Sequence, residues 1–224
     1  MVLTLYKLDA SPPVRAVYMT LEALGIENVQ MQDVNLFTKD QLQEAYLNLN
    51  PQHTVPTLKD DDFMQHYNKT NYLFVSHAIA AYLVNKYAPG HSLYPVDPKK
   101  RAIIDQRLHF DSGILFPALR GTVGPVFFGG EKQFRPDNLE KLKSGYDFLE
   151  RFLTEPWLAG SEFTLADICC VATVSSMNVV LPINGNEHRK LYAWFKRCST
   201  QEIVKKRNQP GIDVFSEALK SFIA

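Results

Sequence analysis

The stretch most suited to chemistry is a serine followed by two prolines, Ser11-Pro12-Pro13. The apolar alternation of residues 2–8 predicts a strand before it, and apolar residues spaced by three and four from Val14 to Leu24 predict a helix after it. Ser11 therefore lies at a predicted helix start, where backbone N–H groups are free and the helix dipole is positive. Two interpretations stay open: the hydroxyl only caps the helix, or it helps to hold an anion.

The elements that must position Ser11 form a small α/β unit. After the first strand and helix, the sequence predicts a strand at residues 29–34 and a weak, mostly polar helix from Lys39 to Leu49. In residues 50–58, two prolines exclude a helix and indicate a turn into an edge-like strand, and Val55–Pro56 is a candidate cis bond. A fourth strand at residues 72–75 and a helix beginning at Ser76 complete a β-α-β-α-β-β-α order.

The remaining chain predicts helices alone. We expect a domain of residues 1–87, a linker of residues 88–97 rich in Pro and Gly, and a helical domain of residues 98–224. Within the helical domain, Thr164 and Asp167 have the spacing of a capping box, and the helix that they open is apolar on all sides and must be buried. The other predicted features are a long helix from Pro98 that Gly121, Gly124 and Pro125 interrupt or bend, a helix from Pro136 to Leu153, one near Tyr192 and a last one from Asp213 to Ile223.

The composition of the chain limits the classes of function that we expect. Lys and Arg number 24, as do Asp and Glu, so net charge gives no sign of a nucleic-acid or membrane partner. No apolar run is long enough to span a bilayer. Three Cys, two of them adjacent, make neither a disulfide framework nor a metal site. We therefore expect a cytoplasmic protein in a reduced setting, without a metal.

Several motifs in this order resemble the cytosolic glutathione S-transferases. The resemblance rests on DASPPVRAV, NPQHTVPTL, SHAIAAYLV and DQRLHFDSG, and it is to the insect delta/epsilon group, epsilon above all. It covers nearly the whole chain. It implies a thioredoxin-like N-terminal domain that binds glutathione, an all-helical C-terminal domain that supplies the wall for hydrophobic substrates, and a homodimer.

The resemblance assigns a role to each matching residue. Ser11 matches the catalytic serine, whose hydroxyl donates a hydrogen bond to the glutathione sulfur and so favours the nucleophilic thiolate. Ser76 matches the serine that takes the γ-glutamyl carboxylate with the N–H groups of its helix. The other glutathione positions are His53, Thr54, Val55, whose backbone pairs with the cysteinyl amide, Pro56 and His77.

The same resemblance places a hydrophobic substrate pocket on the long helix. Asp111 there has two interpretations: it faces the cleft and selects polar ligands, or it makes a polar contact between domains or subunits. The residues that match the pocket are Phe110, Asp111, Phe116, Leu119, Arg120, Val123 and Phe127.

The chain departs from the family pattern beside the glutathione site. The family has Glu or Asp immediately before the serine matched by Ser76, to bind the γ-glutamyl ammonium, and here the residue is Val75. The family turn between the third and fourth strands is short, whereas here residues 63–74 make it longer by roughly eight residues, well beyond a usual hairpin. Asp60, Asp61 or Asp62 is the candidate substitute for the missing acid. A smaller departure is Gln41, near where many relatives carry a histidine that binds the glycine end.

The expected activity is therefore the transfer of glutathione to small hydrophobic electrophiles in detoxification, with glutathione as co-substrate. The family further implies halide removal or reduction of organic peroxides as side activities of the same thiolate. The alternative from another class is a non-catalytic carrier of hydrophobic ligands, which Val75 and the longer turn favour. We do not expect the transferase-like module of a translation factor, which would need a long charged linker and another domain.

Overall fold

A four-stranded sheet organises the N-terminal part of the computed structural model, which describes residues 2–61 and 72–223. The strands are β1 (Leu3–Lys7), β2 (Val29–Asp33), β3 (Thr57–Asp60) and β4 (Tyr72–Phe74), in the order β2-β1-β3-β4. β2 pairs parallel to β1, whereas β3 pairs antiparallel to both β1 and β4. The parallel pair needs a crossover, and α1 (Pro12–Ala23) supplies it.

Two helices bury the apolar side of this sheet. α1 packs against α3 (Ser76–Tyr87), and the core that they share with the strands is fully enclosed. It consists of Leu3, Leu5, Val17, Leu21, Leu58, Ile79 and Leu83. The alternation in β1 and the three- and four-residue spacing in α1 and α3 put these side chains on the facing surfaces.

The helix predicted from Lys39 to Leu49 is wrong in extent. The structure has a 3₁₀ turn at Asp40–Leu42 and a short helix α2 (Glu44–Leu47), separated by Gln43 in an extended conformation. Of the 3₁₀ turn and α2, only Tyr46 is buried. With so little apolar surface to bury, the segment gains too little from packing to continue as one helix.

The helical part contains α4 (Pro98–Phe110), a π-helical turn (Asp111–Leu115) and α5 (Phe116–Gly129), which follow one another without a break. It continues with α6 (Pro136–Phe152), α7 (Leu165–Val180), α8 (Arg189–Thr200), α9 (Glu202–Arg207) and α10 (Gln209–Ile223). Residues 88–97 carry no helix or strand. The sequence did not predict α9, and α10 begins four residues before the predicted start at Asp213.

Gly121, Gly124 and Pro125 do not interrupt the long helix, because all three lie inside α5. Proline has no N–H, so the carbonyl four residues earlier, on Gly121, loses its helical partner. The side chain of Asn138 on α6 replaces it, with Nδ2 donating to Gly121 O at 2.8 Å. The irregularity of the long helix lies instead at the π-helical turn, which buries Asp111 and Leu115.

The helical core forms around α7, whose residues from Leu165 to Met177 are all buried. The predicted capping box is present at its start: Thr164 Oγ1 accepts from the N–H of Ala166, and Asp167 Oδ2 accepts from the N–H of Thr164 at 3.0 Å. α7 also packs against α1, so the two domains share a buried contact. In the part of the chain that the structure describes, no helix is both long and apolar enough to cross a membrane.

Candidate functional site

The turn between β1 and α1 presents Ser11 at the start of the helix. Ser11 has an extended backbone (φ −72°, ψ 121°), its N–H donates to Leu8 O at 2.9 Å, and its hydroxyl makes no capping bond to α1. Pro12 and Pro13 fill the first turn, where their missing N–H groups cost nothing. The half-buried hydroxyl therefore lies at the positive end of α1 without serving as its cap.

The loop before β3 is braced by side chains. Tyr46 OH donates to Thr54 O at 2.6 Å, and Asn50 Nδ2 donates to the same oxygen at 3.0 Å. The Val55–Pro56 bond is cis, as the sequence predicts, and both residues are buried. His53 is exposed and has a positive φ of 46°. The loop thus holds Thr54, Val55 and Pro56 in one conformation and leaves the imidazole of His53 facing solvent.

The start of α3 holds Ser76 and the unusual residue Val75. Ser76 is buried, while Val75 is 44% exposed at φ 75° and ψ 109°. A β-branched residue at such a φ is strained, and strain of this kind collects at binding sites. The first N–H groups of α3 have no partner within the helix and are suited to binding an anion, whereas the side chain of Val75 carries no charge.

Two of the three acids that could substitute for the missing one at Val75 form bonds with other side chains. Asp60 is buried and accepts from Lys86 Nζ and from Tyr82 OH, each at 2.7 Å. Asp61 forms an ion pair with Lys59 at 3.0 Å. Asp62 and most of the longer turn predicted at residues 63–74 lie outside the described residues.

His77 and Asp111 join the two domains in a buried contact. His77 Nε2 lies 2.8 Å from Asp111 Oδ2, and the side chains are 13% and 5% exposed. Burial alone would lower the pKa of His77, but its contacts with Cys169 and Asp111 outweigh burial and raise the pKa to about 10. Of these two partners Asp111 is the one with a negative charge at pH 7, since burial raises the pKa of the Cys169 thiol.

The residues predicted for the hydrophobic pocket have different surroundings in the structure. Asp111 contacts His77, and Phe110 packs edge-on against Phe148 and Phe152 of α6. Leu119 and Val123 belong to the helical core, Phe116 is half-buried and Arg120 is exposed. Phe127 alone of the set joins a second group of aromatic side chains.

This group, the Phe127 cluster, consists of Phe37, Phe127, Phe128, Phe215 and Phe222. Its ring centroids lie 5.4–5.9 Å apart, except for Phe127 and Phe128 at 6.2 Å. Phe37 and Phe128 are 44% and 62% exposed. Four of the five residues were not predicted from the sequence. The five come from three separate segments of the chain, and no local sequence pattern links them.

Helix α10 connects the Phe127 cluster to the Ser11 turn. At its start, a methyl group placed on Gly211 would lie 2.3 Å from the carbonyl oxygen of Asp9, so backbone and helix are in direct contact there. Phe215 follows Gly211 by one helical turn, and Phe222 lies two turns further along a neighbouring line. The helix therefore runs from the turn that carries Ser11 to the aromatic surface.

The three cysteines, Cys169, Cys170 and Cys198, are free and at most 1% exposed, and burial raises the pKa of each thiol. Among residues 2–61 and 72–223, no three His, Cys, Asp or Glu side chains are grouped so as to hold a metal ion.

Comparisons with known proteins agree with the geometry. Residues 5–91 match the family model for the glutathione S-transferase N-terminal domain, and residues 103–202 match the model for the C-terminal domain. Glutathione S-transferase 1 of Manduca sexta is 59% identical over 222 residues, which are 99% of each chain.

Solved structures show the same relationship. An epsilon-class glutathione S-transferase from the housefly, Musca domestica, has a TM-score of 0.90 at 40% identity and covers 98% of each chain. A glutathione transferase homologue from Drosophila mojavensis, solved with bound glutathione, has a TM-score of 0.90 at 39% identity, covering 98% of this chain and 96% of its own. The chain therefore belongs to the glutathione S-transferase family and is similar to its insect delta and epsilon members.

Proposed function

We propose that Ser11 activates the glutathione thiol by donating a hydrogen bond to the sulfur. A free thiol has a pKa of about 8.5, so only a small part is thiolate at pH 7. A hydroxyl donor and the positive end of α1 both stabilise the thiolate and lower that pKa. The observation that carries the proposal is the Ser11 hydroxyl at the start of α1 without a capping bond.

The rest of glutathione then spans the gap between the two helix starts. Ser76 and the N–H groups of α3 take the γ-glutamyl carboxylate, and the backbone of Val55, fixed by the braced loop, pairs with the cysteinyl amide. His53, which faces solvent, contacts the cysteinyl-glycine end. The related structure from Drosophila mojavensis with bound glutathione supports this class of ligand. His77 serves the site by holding the start of α3 against the helical domain.

The electrophile binds on the Phe127 cluster, which offers exposed aromatic faces to an apolar molecule. The thiolate forms a new C–S bond, and the leaving group departs with the electron pair of the bond that breaks. Halide removal and reduction of organic peroxides are further reactions of the same thiolate. Three free cysteines that form no disulfide suit a reducing cytoplasm.

We also propose that the enzyme is a homodimer, as is typical of the family. A groove between α3 and α4, lined by Val75, Ala78, Leu108 and His109 among others, borders the glutathione site. Ile103 and Ile114 on the long helix are each 44% exposed. Sedimentation analysis of the purified chain should give twice the monomer mass, and a monomer at micromolar concentration would contradict this.

Ser11→Ala tests the main proposal. Removing one hydrogen-bond donor to a developing or bound anion costs roughly 10²-fold in turnover, while glutathione affinity should change little because the peptide contacts remain. Turnover is measured with a chloronitrobenzene, affinity by titration calorimetry and the thiol pKa by thiolate absorbance. Ser11→Thr keeps a hydroxyl and should retain part of the activity, and Ser199→Ala, at an exposed position of α8, is the control. Full turnover with an unchanged thiol pKa in Ser11→Ala would contradict the role of Ser11.

A further inference from the structure

Arg15 is fully buried directly beneath the Ser11 turn, with 0% of its surface exposed. It follows Ser11 by four residues in α1, about 6 Å of helix rise, and side chains in a helix lean toward its N-terminus. A methyl group placed on Gly211 would lie 2.5 Å from Arg15 Cδ and 2.3 Å from Asp9 O. The side chain of Arg15 and the backbone of the turn therefore share one close contact with α10.

The hydrogen-bond partners of the Arg15 guanidinium are uncharged. Nη1 donates to Asn208 Oδ1 and Nη2 donates to Ser176 Oγ, each at 2.5 Å. Nε is buried and has no partner among the described residues. Burial lowers the pKa of Arg15 to about 9, so the group still carries its charge at pH 7.

Most acids on the elements packed against Arg15 have other partners, and Glu217 of α10 is exposed to solvent. Asp167 accepts hydrogen bonds at the far end of α7, and Asp213 accepts from Gln209 on α10. The remaining pairs are Asp9 with Lys7 and Tyr18, Glu22 with Lys206 and Arg207, and Glu202 with Lys205. The positive charge of Arg15 thus has no carboxylate against it among the described residues, and burying such a charge costs stability.

We propose that the buried, uncompensated charge of Arg15 stabilises the glutathione thiolate held at Ser11. The inference rests on the proposed function, because it needs the sulfur at the Ser11 turn. Arg15 does not touch glutathione; it acts on the thiolate through the protein interior and is a positioning residue. At a separation on the order of 10 Å and an effective dielectric constant of about 20, one unit charge shifts a neighbouring pKa by roughly one unit.

Asn208→Asp provides the sharpest test, since it places a carboxylate where Asn208 Oδ1 now accepts from Arg15 at 2.5 Å. The guanidinium then gains a counter-ion while its own contacts stay in place. The Ser175 hydroxyl now accepts from Asn208 Nδ2 at 2.9 Å and donates to Val171 O, and in the variant it redirects its proton from Val171 O to the new carboxylate. We expect the thiol pKa of bound glutathione to rise by about one unit, with stability equal to wild type or higher and glutathione affinity within about twofold of wild type.

Two arginine variants complete the comparison. Arg15→Met should raise the thiol pKa to the same extent and also lower stability, because Asn208 and Ser176 lose their buried donor. Arg107→Met is the control: Arg107 is partly buried and, like Arg15, has no carboxylate partner among the described residues, since it donates to Leu158 O at 3.0 Å and stacks on Phe152. Its loss should lower stability and leave the thiol pKa unchanged.

The thiol pKa is read from thiolate absorbance of the complex and from the acidic limb of the pH profile of kcat/KM. If the Asn208→Asp variant folds and binds glutathione, and the thiol pKa of the bound glutathione equals that in wild type, the role of Arg15 is overturned. This holds whatever the stability of Arg15→Met. If Ser11→Ala leaves the thiol pKa unchanged while Asn208→Asp raises it, the role of Arg15 stands and the proposal for Ser11 fails.

Discussion

Replacing Asp167 by Ala should destabilise the fold more than the loss of a helix cap does. The carboxylate is 0% exposed and accepts four hydrogen bonds. Oδ1 accepts from Leu158 N–H at 2.9 Å and from Trp194 Nε1–H at 2.8 Å, and Oδ2 serves the N–H and hydroxyl of Thr164. The side chain therefore joins the loop before α7, the start of α7 and the middle of α8.

The magnitude follows from the donors that the variant leaves unpaired. Leaving a buried donor without a partner costs about 1–3 kcal/mol, and two N–H groups, of Leu158 and Trp194, lose theirs. Loss of the cap adds ~0.5–2 kcal/mol. Part of this loss is offset, because the variant no longer has to bury a negative charge. Burial disfavours that charge, as the raised pKa of Asp167 shows. We expect a net loss of roughly 4 kcal/mol in the free energy of unfolding.

Denaturant unfolding followed by tryptophan fluorescence measures this loss. The chain has two tryptophans, Trp157 and Trp194, and both lie in the helical domain that Asp167 holds together. Thr164→Ala is the matched control, since it removes only the hydroxyl that accepts from Ala166 N–H at 3.3 Å and should cost about 1 kcal/mol. A loss in Asp167→Ala no larger than in Thr164→Ala would show that the bonds to Leu158 and Trp194 contribute nothing.

Three further predictions concern the substrate sites and the domain contact. Val75→Glu should tighten glutathione binding several-fold by calorimetry, less so in high salt, because Val75 gives the γ-glutamyl ammonium no partner; equal affinities would contradict this. The pKa of His77 is raised from its ordinary 6.5 to about 10. The stabilisation that its pairing with Asp111 gives is therefore complete below pH 6.5 and is lost as the pH rises through 10. The cost of Asp111→Asn, roughly 2 kcal/mol at pH 6, should accordingly shrink by pH 10 in denaturant unfolding, and a constant difference would refute the pairing. Phe37→Ala should raise KM for an aromatic electrophile several-fold and leave KM for glutathione unchanged, while Val96→Ala, at 73% exposure, changes neither.

Features set by neighbouring residues were predictable from the sequence. The strand, turn and helix around Ser11, the cis bond before Pro56 and the box formed by Thr164 and Asp167 each depend on a few adjacent residues. Local backbone preferences and capping decide such features, so one short window contains the information.

Features set by distant contacts were not predictable in this way. Pro125 stays inside α5 because Asn138 on another helix satisfies the carbonyl of Gly121. Asp111 had two open interpretations because its partner, His77, lies 34 positions earlier in the chain. The Phe127 cluster assembles from three segments, and Asp167 bonds Trp194 as well as the cap that the sequence predicts. Such pairings exist only once the helices have packed.

The burial of every thiol has a consequence for an enzyme that handles electrophiles. A reactive compound that reaches the protein attacks thiolates first, and Cys169, Cys170 and Cys198 are enclosed and held as neutral thiols. The catalyst is thus protected from self-alkylation by its own substrates, and the glutathione sulfur is the most nucleophilic thiol that a bound electrophile meets. Unfolding removes that protection at once, so a thiol reagent inactivates only those molecules that have lost their helical core.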